Sequence, residues 1–221
     1  MTLSVIIPTL NAASGLRRTC ATLATADEVI VVDGGSSDGT PDIARSLGLR
    51  LLASDAGRGH QLMAGAAQAR GEWLLFLHAD TRLDPDWISE AADFMSDPAN
   101  RRRAGAFRFA LESSLPQARR LEAMVAWRTR VLALPYGDQG LLISRPFYDA
   151  LGGYRPLPLM EDVDLIRRIG RRSIVALSAR AVTSAERWHR DGWWRRSARN
   201  LACLLLYFAG LSPRLIQRLY G

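Results

Sequence analysis

Apolar runs and helical patterns alternate along the first half of the chain. Four runs rich in Val, Ile and Leu show no polar alternation and predict buried strands; they lie at residues 3–7, 28–32, 50–53 and 72–77. The segments that follow have helical spacing; they lie at residues 12–23, 41–47, 57–70 and 84–95. Strands of this kind that alternate with helices indicate an α/β fold with a parallel sheet covered on both faces.

The second half has a less regular pattern. It predicts strands at residues 104–111, 141–144 and 173–177, and helices at 117–134, 161–169, 193–209 and 214–220. A length of 221 residues fits one domain with a small extension. We place the domain at residues 1–192 and a basic, then apolar, helical tail at residues 193–221.

Positive charge is concentrated in the C-terminal quarter. All 29 basic residues are arginines, and the lack of lysine excludes a lysine-dependent P-loop and Schiff-base chemistry. Residues 165–221 hold 12 arginines and two acids, a net charge of +10, whereas the first 164 residues hold 17 arginines and 20 acids, a net charge of −3. The positive charge of residues 165–221 either binds an anionic partner or forms a solubilising face.

The tail leaves several interpretations open. Its longest apolar stretch, residues 201–211, is shorter than the roughly 18 residues that span a bilayer. It suits a helix on an anionic membrane surface or one that binds the lipid of an acceptor, or else a helix packed on the domain or in a homodimer. Two widely spaced cysteines and the lack of a signal-peptide pattern predict a cytoplasmic protein, with membrane association left open.

Polar side chains follow three of the four strands of the first half. Thr9 follows the first, Asp33 ends the second, and His78 and Asp80 follow the fourth. Carboxyl ends of parallel strands meet at one edge of a sheet, where ligands bind. A carboxylate there requires solvent, a partner or a metal ion. We predict one crevice lined by these groups, although Asp33 alone would also suit a turn.

Four segments, in order and spacing, resemble family 2 glycosyltransferases over roughly residues 3–190. They are LSVIIPTLN at 3–11, VVDGGSSDGT at 31–40, ARGEWLLFLHAD at 69–80 and MEDVDL at 160–165. The resemblance implies a GT-A fold: a mostly parallel central sheet with helices on both faces, here with a C-terminal helical extension. It also implies a nucleotide-diphosphate sugar donor bound by residues 1–80, an acceptor bound by residues 81–192, a divalent metal ion, and inversion at the sugar carbon.

The resemblance assigns the nucleotide to the loops after the first two strands. Pro8, Thr9 and Asn11 would border the base, and Asp33 would accept a hydrogen bond from it. Arg58, between two glycines, would meet the base or a phosphate.

The metal ion is implied by the third segment. Asp80 matches the last position of the D-x-D motif and would bind Mn²⁺ or Mg²⁺, which prefer oxygen ligands. His78 replaces the first aspartate, so it would contact a ribose hydroxyl or a phosphate, or be a buried structural histidine. His189 would be a second metal or diphosphate contact, with an exposed surface histidine as the alternative.

The catalytic base is implied by the fourth segment. Glu161 and Asp162 begin a predicted helix, whose positive end stabilises carboxylates. The resemblance makes Asp162 the general base and Glu161 a residue that positions the acceptor, with helix capping as the alternative. Asp138 and Gln139, between two glycines, would lie near the acceptor or sugar, or form a turn.

Finer assignments rest on fewer residues. LHADT at 77–81 and LPYGDQG at 134–140 resemble a small bacterial subgroup of arsenosugar-biosynthesis glycosyltransferases, so the acceptor would be a small molecule or a lipid. A sugar-nucleotide pyrophosphorylase is an alternative, but its lysine-bearing N-terminal loop is absent. A basic nucleic-acid-binding protein is another. The acidic strand ends argue against it, and we expect no nucleic-acid partner.

Overall fold

The computed structural model describes residues 1–220, with side chains through Arg218; Gly221, part of the predicted tail, lies outside the described residues. The fold is α/β, as predicted, with one eight-stranded sheet. Its strands are β1 Leu3–Thr9, β2 Glu28–Asp33, β3 Arg50–Ala53, β4 Trp73–Phe76, β5 Thr81–Leu83, β6 Ala104–Leu111, β7 Leu141–Ser144 and β8 Ile174–Thr183.

Ten α-helices lie within the described residues. They are α1 Ala13–Ala21, α2 Thr40–Ser46, α3 Arg58–Gln68, α4 Trp87–Ser96, α5 Pro116–Leu132, α6 Arg145–Ala150, α7 Glu161–Ile169, α8 Glu186–Asp191, α9 Trp193–Phe208 and α10 Pro213–Tyr220. Short 3-10 helices span Pro98–Arg102, Gly137–Gln139 and Arg171–Ser173.

The sheet is mixed, with strand order β3-β2-β1-β4-β7-β6-β8-β5. Strands β1 to β4 form the predicted parallel half, because β1 pairs with β2 and β4, and β2 with β3, all in parallel. Strand β7 runs antiparallel to both of its neighbours, β8 is parallel to β6, and β5 closes the far edge antiparallel to β8. Four of the seven pairings are therefore parallel.

Helices cover both faces of the sheet, as alternate residues of β1 reveal. Val5 and Ile7 pack in a core cluster that includes Leu16 of α1 and Trp87 of α4. Ile6 points the other way, into a cluster formed with α3, α6 and α7. A strand that is buried on both faces carries apolar residues at every position, and this explains why the sequence shows no polar alternation there.

Strand ends and loops converge at one edge of the sheet. Thr9 pairs with Asp33 where β1 and β2 end together. Phe76, the last residue of β4, pairs with Leu141, the first of β7. The 3-10 helix Gly137–Gln139 directly precedes β7, so it lies beside the residues that follow β4.

The structure adds elements that the sequence pattern did not predict. Strand β5 has three residues, and α6 and α8 have six each, too few for a period to be recognised. Strand β8 continues to Thr183, beyond the predicted end at residue 177, because β6 pairs with it from Ile174 to Thr183 and β5 pairs with its last three residues. No helix among the described residues has both the length and the apolar character needed to cross a bilayer.

Candidate functional site

Asp33 organises the loops that follow β1 and β2. Its Oδ1 accepts hydrogen bonds from Thr9 Oγ1 at 2.9 Å and from Ser36 Oγ at 2.5 Å; its Oδ2 accepts from the backbone N–H groups of Gly35 and Ser36 at 3.0 and 2.8 Å. Burial raises the pKa of Asp33, but the hydrogen bonds from Ser36, Thr9 and Gly35 outweigh it, so the pKa lies below its usual value. The carboxylate thus holds the predicted nucleotide loop in shape.

Gln61 ties the same loops together from helix α3. Its Nε2 donates to the carbonyl of Thr9 at 2.5 Å and to that of Val32 at 2.8 Å. A Cβ on Gly34 would lie 3.1 Å from this amide nitrogen, so glycine allows the close approach. Sequence reasoning missed Gln61; the available signal was one amide beside small and apolar residues on the buried face of a helix.

Pro8 and Asn11, the residues predicted to border the nucleotide base, differ in exposure. Pro8 is buried in β1 opposite Val32, whereas Asn11 is exposed. Asn11 has a φ of 51°, a left-handed conformation that asparagine tolerates. Its Oδ1 accepts from the Ser37 N–H at 2.9 Å, and its own N–H donates to Ser36 Oγ at 2.8 Å. Asn11 therefore stands at the rim of the loop that Asp33 holds.

Arg58 connects the two halves of the chain at the beginning of α3. Its Nε forms an ion pair with the carboxylate of Glu161, whose side chain is 1% exposed. Burial raises the pKa of Glu161, as does Asp162, while Arg58 opposes the rise. Burial lowers the pKa of Arg58, but Glu161 and Asp162 outweigh it, so this pKa is raised and the guanidinium stays charged. Glu161 thus positions Arg58, and its predicted contact with the acceptor stays a prediction.

His78 is a neutral imidazole beside this ion pair. Burial lowers the pKa of His78 to about 4, and the neighbouring Arg58 adds to the effect. The Nε2 of His78 lies 3.2 Å from Arg58 Nη1. A guanidinium only donates, so Nε2 accepts and the proton is on Nδ1. A Cβ on Gly137 would lie 2.6 Å from Nε2, so only glycine fits opposite this ring.

Asp162 faces His78 from the second half of the chain. Helix α7 begins at Glu161, as predicted, after Met160 in a left-handed conformation with a φ of 65°. Asp162 Oδ2 accepts from the Gly137 N–H at 2.9 Å, and Oδ1 accepts from the Val163 N–H at 2.8 Å. Asp162 and His78 line one small pocket, together with Gly137 and Tyr154. Tyr154 is a lining residue that sequence reasoning missed.

Asp80 lies in the turn between β4 and β5. Its side chain is 24% exposed, and Oδ2 lies 3.7 Å from Arg187 Nη2. Helix α1 supports the turn, since Thr19 Oγ1 donates to the carbonyl of Ala79 at 2.8 Å and a Cβ on Gly15 would come within 2.9 Å of that carbonyl. The carboxylate is thus held at the rim with a cation beside it. Arg187, on α8, is a second residue that sequence reasoning missed.

Asp138 adds a third carboxylate to the same region. Its Oδ1 is buried and has no hydrogen-bond partner. Burial raises the pKa of Asp138 to about 6; Asp162 and Asp80 contribute to the rise, and Arg128 opposes it. The arrangement brings Asp80, Asp138 and Asp162 to one opening at the sheet edge.

Gln139 does not face this opening. It is 2% exposed; its Nε2 donates to the carbonyl of Phe107 at 2.9 Å, and its Oε1 accepts from Thr129 Oγ1 at 3.0 Å. The acceptor contact predicted for Gln139 is therefore not available to its amide, which is buried and already bonded at both ends. Gln139 instead fastens the 3-10 helix to β6 and α5.

The residues predicted to bind metal do not form a complete cage. His189 is exposed on α8, with its ring edge against Trp193 at 5.5 Å between centroids. Among the described residues, no three His, Cys, Asp or Glu side chains are arranged to hold a metal ion. Mg²⁺ is usually bound by one or two carboxylates together with substrate phosphates. Asp80 fits that arrangement as a protein ligand. The exposed position of His189 fits the alternative prediction, that it is a surface histidine without a metal contact.

The family is decided by sequence comparison. The profile described as Glycosyl transferase family 2 matches residues 4–138, more than half of the chain. The chain belongs to glycosyltransferase family 2. The resemblance read from the four sequence segments is thereby confirmed at the level of the family. Membership of family 2 also replaces the pyrophosphorylase and nucleic-acid-binding alternatives.

Curated relatives match this family 2 chain over part of its length. A PGL/p-HBAD biosynthesis glycosyltransferase of Mycobacterium bovis (strain BCG / Pasteur 1173P2) is 39% identical over 110 residues, covering 42% of this chain and 41% of the relative. Glycosyltransferase AglE of Haloferax volcanii is 33% identical over 107 residues, covering 42% and 35%. The match thus spans about two-fifths or less of the length of these relatives.

Solved structures share the fold of this family 2 chain. S. aureus TarS 1-349 superposes with a TM-score of 0.64 at 19% identity, covering 98% of this chain and 68% of that one. Glucosyl-3-phosphoglycerate synthase from Mycobacterium tuberculosis, in complex with Mn²⁺, UDP and glucosyl-3-phosphoglycerate, has a TM-score of 0.58 at 21% identity, covering 82% and 70%. The predicted GT-A fold is confirmed.

Proposed function

We propose that this protein transfers a sugar from a nucleoside-diphosphate donor to an acceptor hydroxyl, with Asp162 as the general base. One observation carries the proposal: the Asp162 carboxylate, from the second half of the chain, faces His78 and Gly137 at the strand ends of the first half. Membership of family 2 supports it. So do two structures of the same fold, TarS in complex with UDP-GlcNAc and the mycobacterial synthase with Mn²⁺ and UDP.

The donor is expected to lie across the ends of β1, β2 and β4. Asn11, exposed at the rim, and the loop that Asp33 holds would border the base, as the sequence predicts. The guanidinium of Arg58 and that of Arg187, beside Asp80, bring positive charge to the place where a diphosphate would lie.

In the proposed reaction, the acceptor oxygen attacks the anomeric carbon of the donor sugar. The bond between that carbon and the diphosphate oxygen breaks, and the hydroxyl proton passes to Asp162. This single displacement inverts the anomeric configuration. Each Asp162 oxygen accepts one backbone N–H, so each keeps a lone pair for the proton. Arg58 and Arg187 would stabilise the negative charge of the leaving nucleoside diphosphate.

Asp80 is the residue that would hold a divalent metal ion. When bound, Mn²⁺ or Mg²⁺ supplies a positive charge that stabilises the leaving diphosphate. Arg187 lies close enough to pair with Asp80 in the protein alone. We infer that a metal ion and Arg187 share this carboxylate once the donor is present.

Asp138 is the proposed contact for a hydroxyl of the sugar or acceptor. The support is its buried Oδ1, which has no partner within the protein. A hydroxyl donor would satisfy this oxygen. A small-molecule or lipid acceptor and a role in arsenosugar synthesis stay predictions; the mycobacterial relative carries the name of PGL/p-HBAD biosynthesis instead. A cytoplasmic location and a homodimer also stay predictions.

A thermal-shift panel tests donor binding. UDP, GDP, ADP and CDP are each added with and without Mn²⁺, and one of them is expected to raise the melting temperature most. A ligand at 100 times its Kd stabilises a protein by about 2.7 kcal/mol. Asp80→Asn should remove the part of the shift that depends on Mn²⁺. If no nucleoside diphosphate raises the melting temperature, the proposal is wrong.

Asp162→Asn tests the base. We expect turnover, measured as release of the nucleoside diphosphate from the donor, to fall by about 10²–10⁴-fold, the usual contribution of a general base. Donor affinity should stay within about two-fold, because the amide keeps the shape of the side chain; it removes the negative charge, the proton acceptance and one of the two backbone hydrogen bonds. Asp86→Asn, an exposed aspartate before α4, is the matched control and should keep full turnover. Near-normal turnover of the Asp162 variant would remove this residue from the role.

A further inference from the structure

Helix α9 turns its apolar side outward. Trp194, Leu201, Leu205 and Phe208 are 73%, 57%, 60% and 45% exposed. Their spacings of seven, four and three residues place them on one face of the helix. A surface helix of a globular protein normally buries such a stripe.

The opposite side of α9 meets the protein through a paired arginine and a buried cysteine. The Arg196 side chain is 11% exposed and pairs with Asp191 at 2.6 Å. Cys203, on the same side as Arg196, is the buried residue of the helix. Because this side of the helix already contacts the protein, the exposed apolar side is left for a partner that is apolar.

Helix α5 has a second exposed face of the same kind. Met124, Trp127, Val131 and Leu132 are all exposed, at spacings of three, four and one residues. The two helices are linked, because Trp193 in the first turn of α9 packs against the buried cluster to which α5 contributes. We call the eight exposed apolar residues of α5 and α9 the outer apolar face.

Exposed arginines lie on the two helices that carry the outer apolar face and on the helix that follows them. Arg195 on α9, Arg214 on α10, and Arg120 and Arg130 on α5 are all exposed. Asp191 is the last acidic residue in the sequence, and it pairs with Arg190, Arg196 and Arg199. Among the described residues, no ion pair involves Arg195 or Arg214. A partner that fits this face therefore combines apolar groups with negative charge.

We propose that the outer apolar face rests on the surface of an anionic lipid bilayer. Interfacial helices bury an apolar stripe at the headgroup boundary, while flanking arginines meet anionic headgroups. A second copy of the chain fits less well, since a two-fold contact through the same face would bring arginines against arginines. Helix α9 lies on the membrane in this arrangement, in accord with the lack of a membrane-crossing helix among the described residues.

Vesicle co-sedimentation of the full chain tests the proposal. Phosphatidylcholine vesicles with phosphatidylglycerol should sediment the protein at low salt, and vesicles of phosphatidylcholine alone should not. Salt of about 1 M shortens the Debye length to about 3 Å and should release it. L201E/L205E should lose vesicle binding, because it inserts charge into the apolar stripe. R195E/R214E should lower the vesicle partition coefficient by at least about 25-fold, since each arginine near an anionic surface contributes about five-fold.

The control is R101E/R102E, which makes the same change in net charge on exposed arginines of the 3-10 helix Pro98–Arg102. It should bind vesicles like the unaltered chain. Far-UV circular dichroism and melting of every variant should match the parent, because all substituted side chains are exposed. Absence of binding to anionic vesicles, or an equal loss in R101E/R102E, would overturn the proposal. So would a dimer in light scattering that L201E/L205E dissociates, which would assign the face to a second copy.

Discussion

At the scale of single residues, Asp138 carries the most unfavourable environment of the site. Its Oδ1 is buried with no hydrogen-bond partner, and two other carboxylates, Asp80 and Asp162, lie near enough to add to the rise in its pKa. Burying a charged group without a partner destabilises the folded state. A protein keeps such a group where a ligand will satisfy it, which is consistent with the hydroxyl contact proposed for Asp138.

The raised pKa of Asp138 predicts how its replacement depends on pH. Its pKa is about 6 in the folded protein against 3.8 ordinarily, so its contribution to stability is present below pH 4 and is lost as the pH rises through 6. Relative to Asp138→Asn, the unaltered protein should therefore lose up to about 3 kcal/mol of unfolding free energy between pH 4 and 7. Urea unfolding at several pH values, without metal, measures this difference.

His78 titrates in the same range with the opposite sign. Its pKa is about 4 in the folded protein against 6.5 ordinarily, so its contribution is present above pH 6.5 and is lost as the pH falls through 4. The parent and Asp138→Asn both contain His78, so its contribution cancels when their unfolding free energies are compared. Asp149→Asn, an exposed aspartate on α6, is the control. A difference between parent and Asp138→Asn that stays constant with pH would show that Asp138 ionises freely.

At the scale of elements, helix α3 fixes the shape of the nucleotide loops. Gln61 is buried on its inner face and reaches the carbonyls at the ends of β1 and β2. Without this amide, two backbone oxygens at Thr9 and Val32 would lose a donor. The loop that carries Asp33 is therefore held in place by the helix whose first residue, Arg58, is itself a predicted contact of the nucleotide.

Replacing Gln61 should weaken both the fold and the loop. Gln61→Ala is expected to lower the free energy of unfolding by about 1–3 kcal/mol, because it removes two buried hydrogen bonds of about 0.5–1.5 kcal/mol each. Gln68→Ala, on the exposed end of the same helix, should change it by less than about 0.5 kcal/mol. Urea unfolding compares the two variants. Equal effects would mean that α3 acts only through its helical propensity.

The sequence predicted the parallel half well, and its limits have physical reasons. Uninterrupted apolar runs mark β1, β2 and β4 because each strand is buried on both faces. The beginning of α7 at Glu161 was predicted from its acidic first turn. Strand β5, in contrast, is defined by pairing with β8 about a hundred residues away, which no local pattern contains. Gln139 failed as an acceptor contact for the same reason, since its partners Phe107 and Thr129 are remote in sequence.

At the scale of the whole molecule, the two halves of the chain meet through Arg58 and Glu161. Arg58 begins α3 in residues 1–80, and Glu161 begins α7 in residues 81–192. The backbones also approach closely, because a Cβ on Gly59 would lie 3.0 Å from the Leu157 N–H nitrogen. This junction sets where Asp162 stands relative to His78, so the geometry of the proposed chemistry depends on it.

Breaking the pair on one side should therefore destabilise the protein more than removing it. Glu161→Gln leaves the Arg58 cation without its anion, and we expect it to lower the free energy of unfolding by about 3 kcal/mol, the lower end for a buried pair because Arg58 is 35% exposed. The double variant R58M/E161M fills the space with apolar side chains and should lose less. Chemical denaturation of the parent, R58M, E161M and R58M/E161M gives the coupling energy.

An exposed ion pair serves as the control that separates the effect of burial on stability from the effect of charge. Asp42 pairs with Arg45 at 2.7 Å on the surface of α2, with both side chains mostly exposed, and Asp42→Asn should change stability by less than about 1 kcal/mol. If Glu161→Gln were no worse than Asp42→Asn, the junction would owe its rigidity to packing alone. If R58M/E161M lost the sum of the two single effects, Arg58 and Glu161 would act independently. A large positive coupling, together with a donor affinity that falls in every Arg58 variant, would tie the joining of the halves to the diphosphate contact proposed for this arginine.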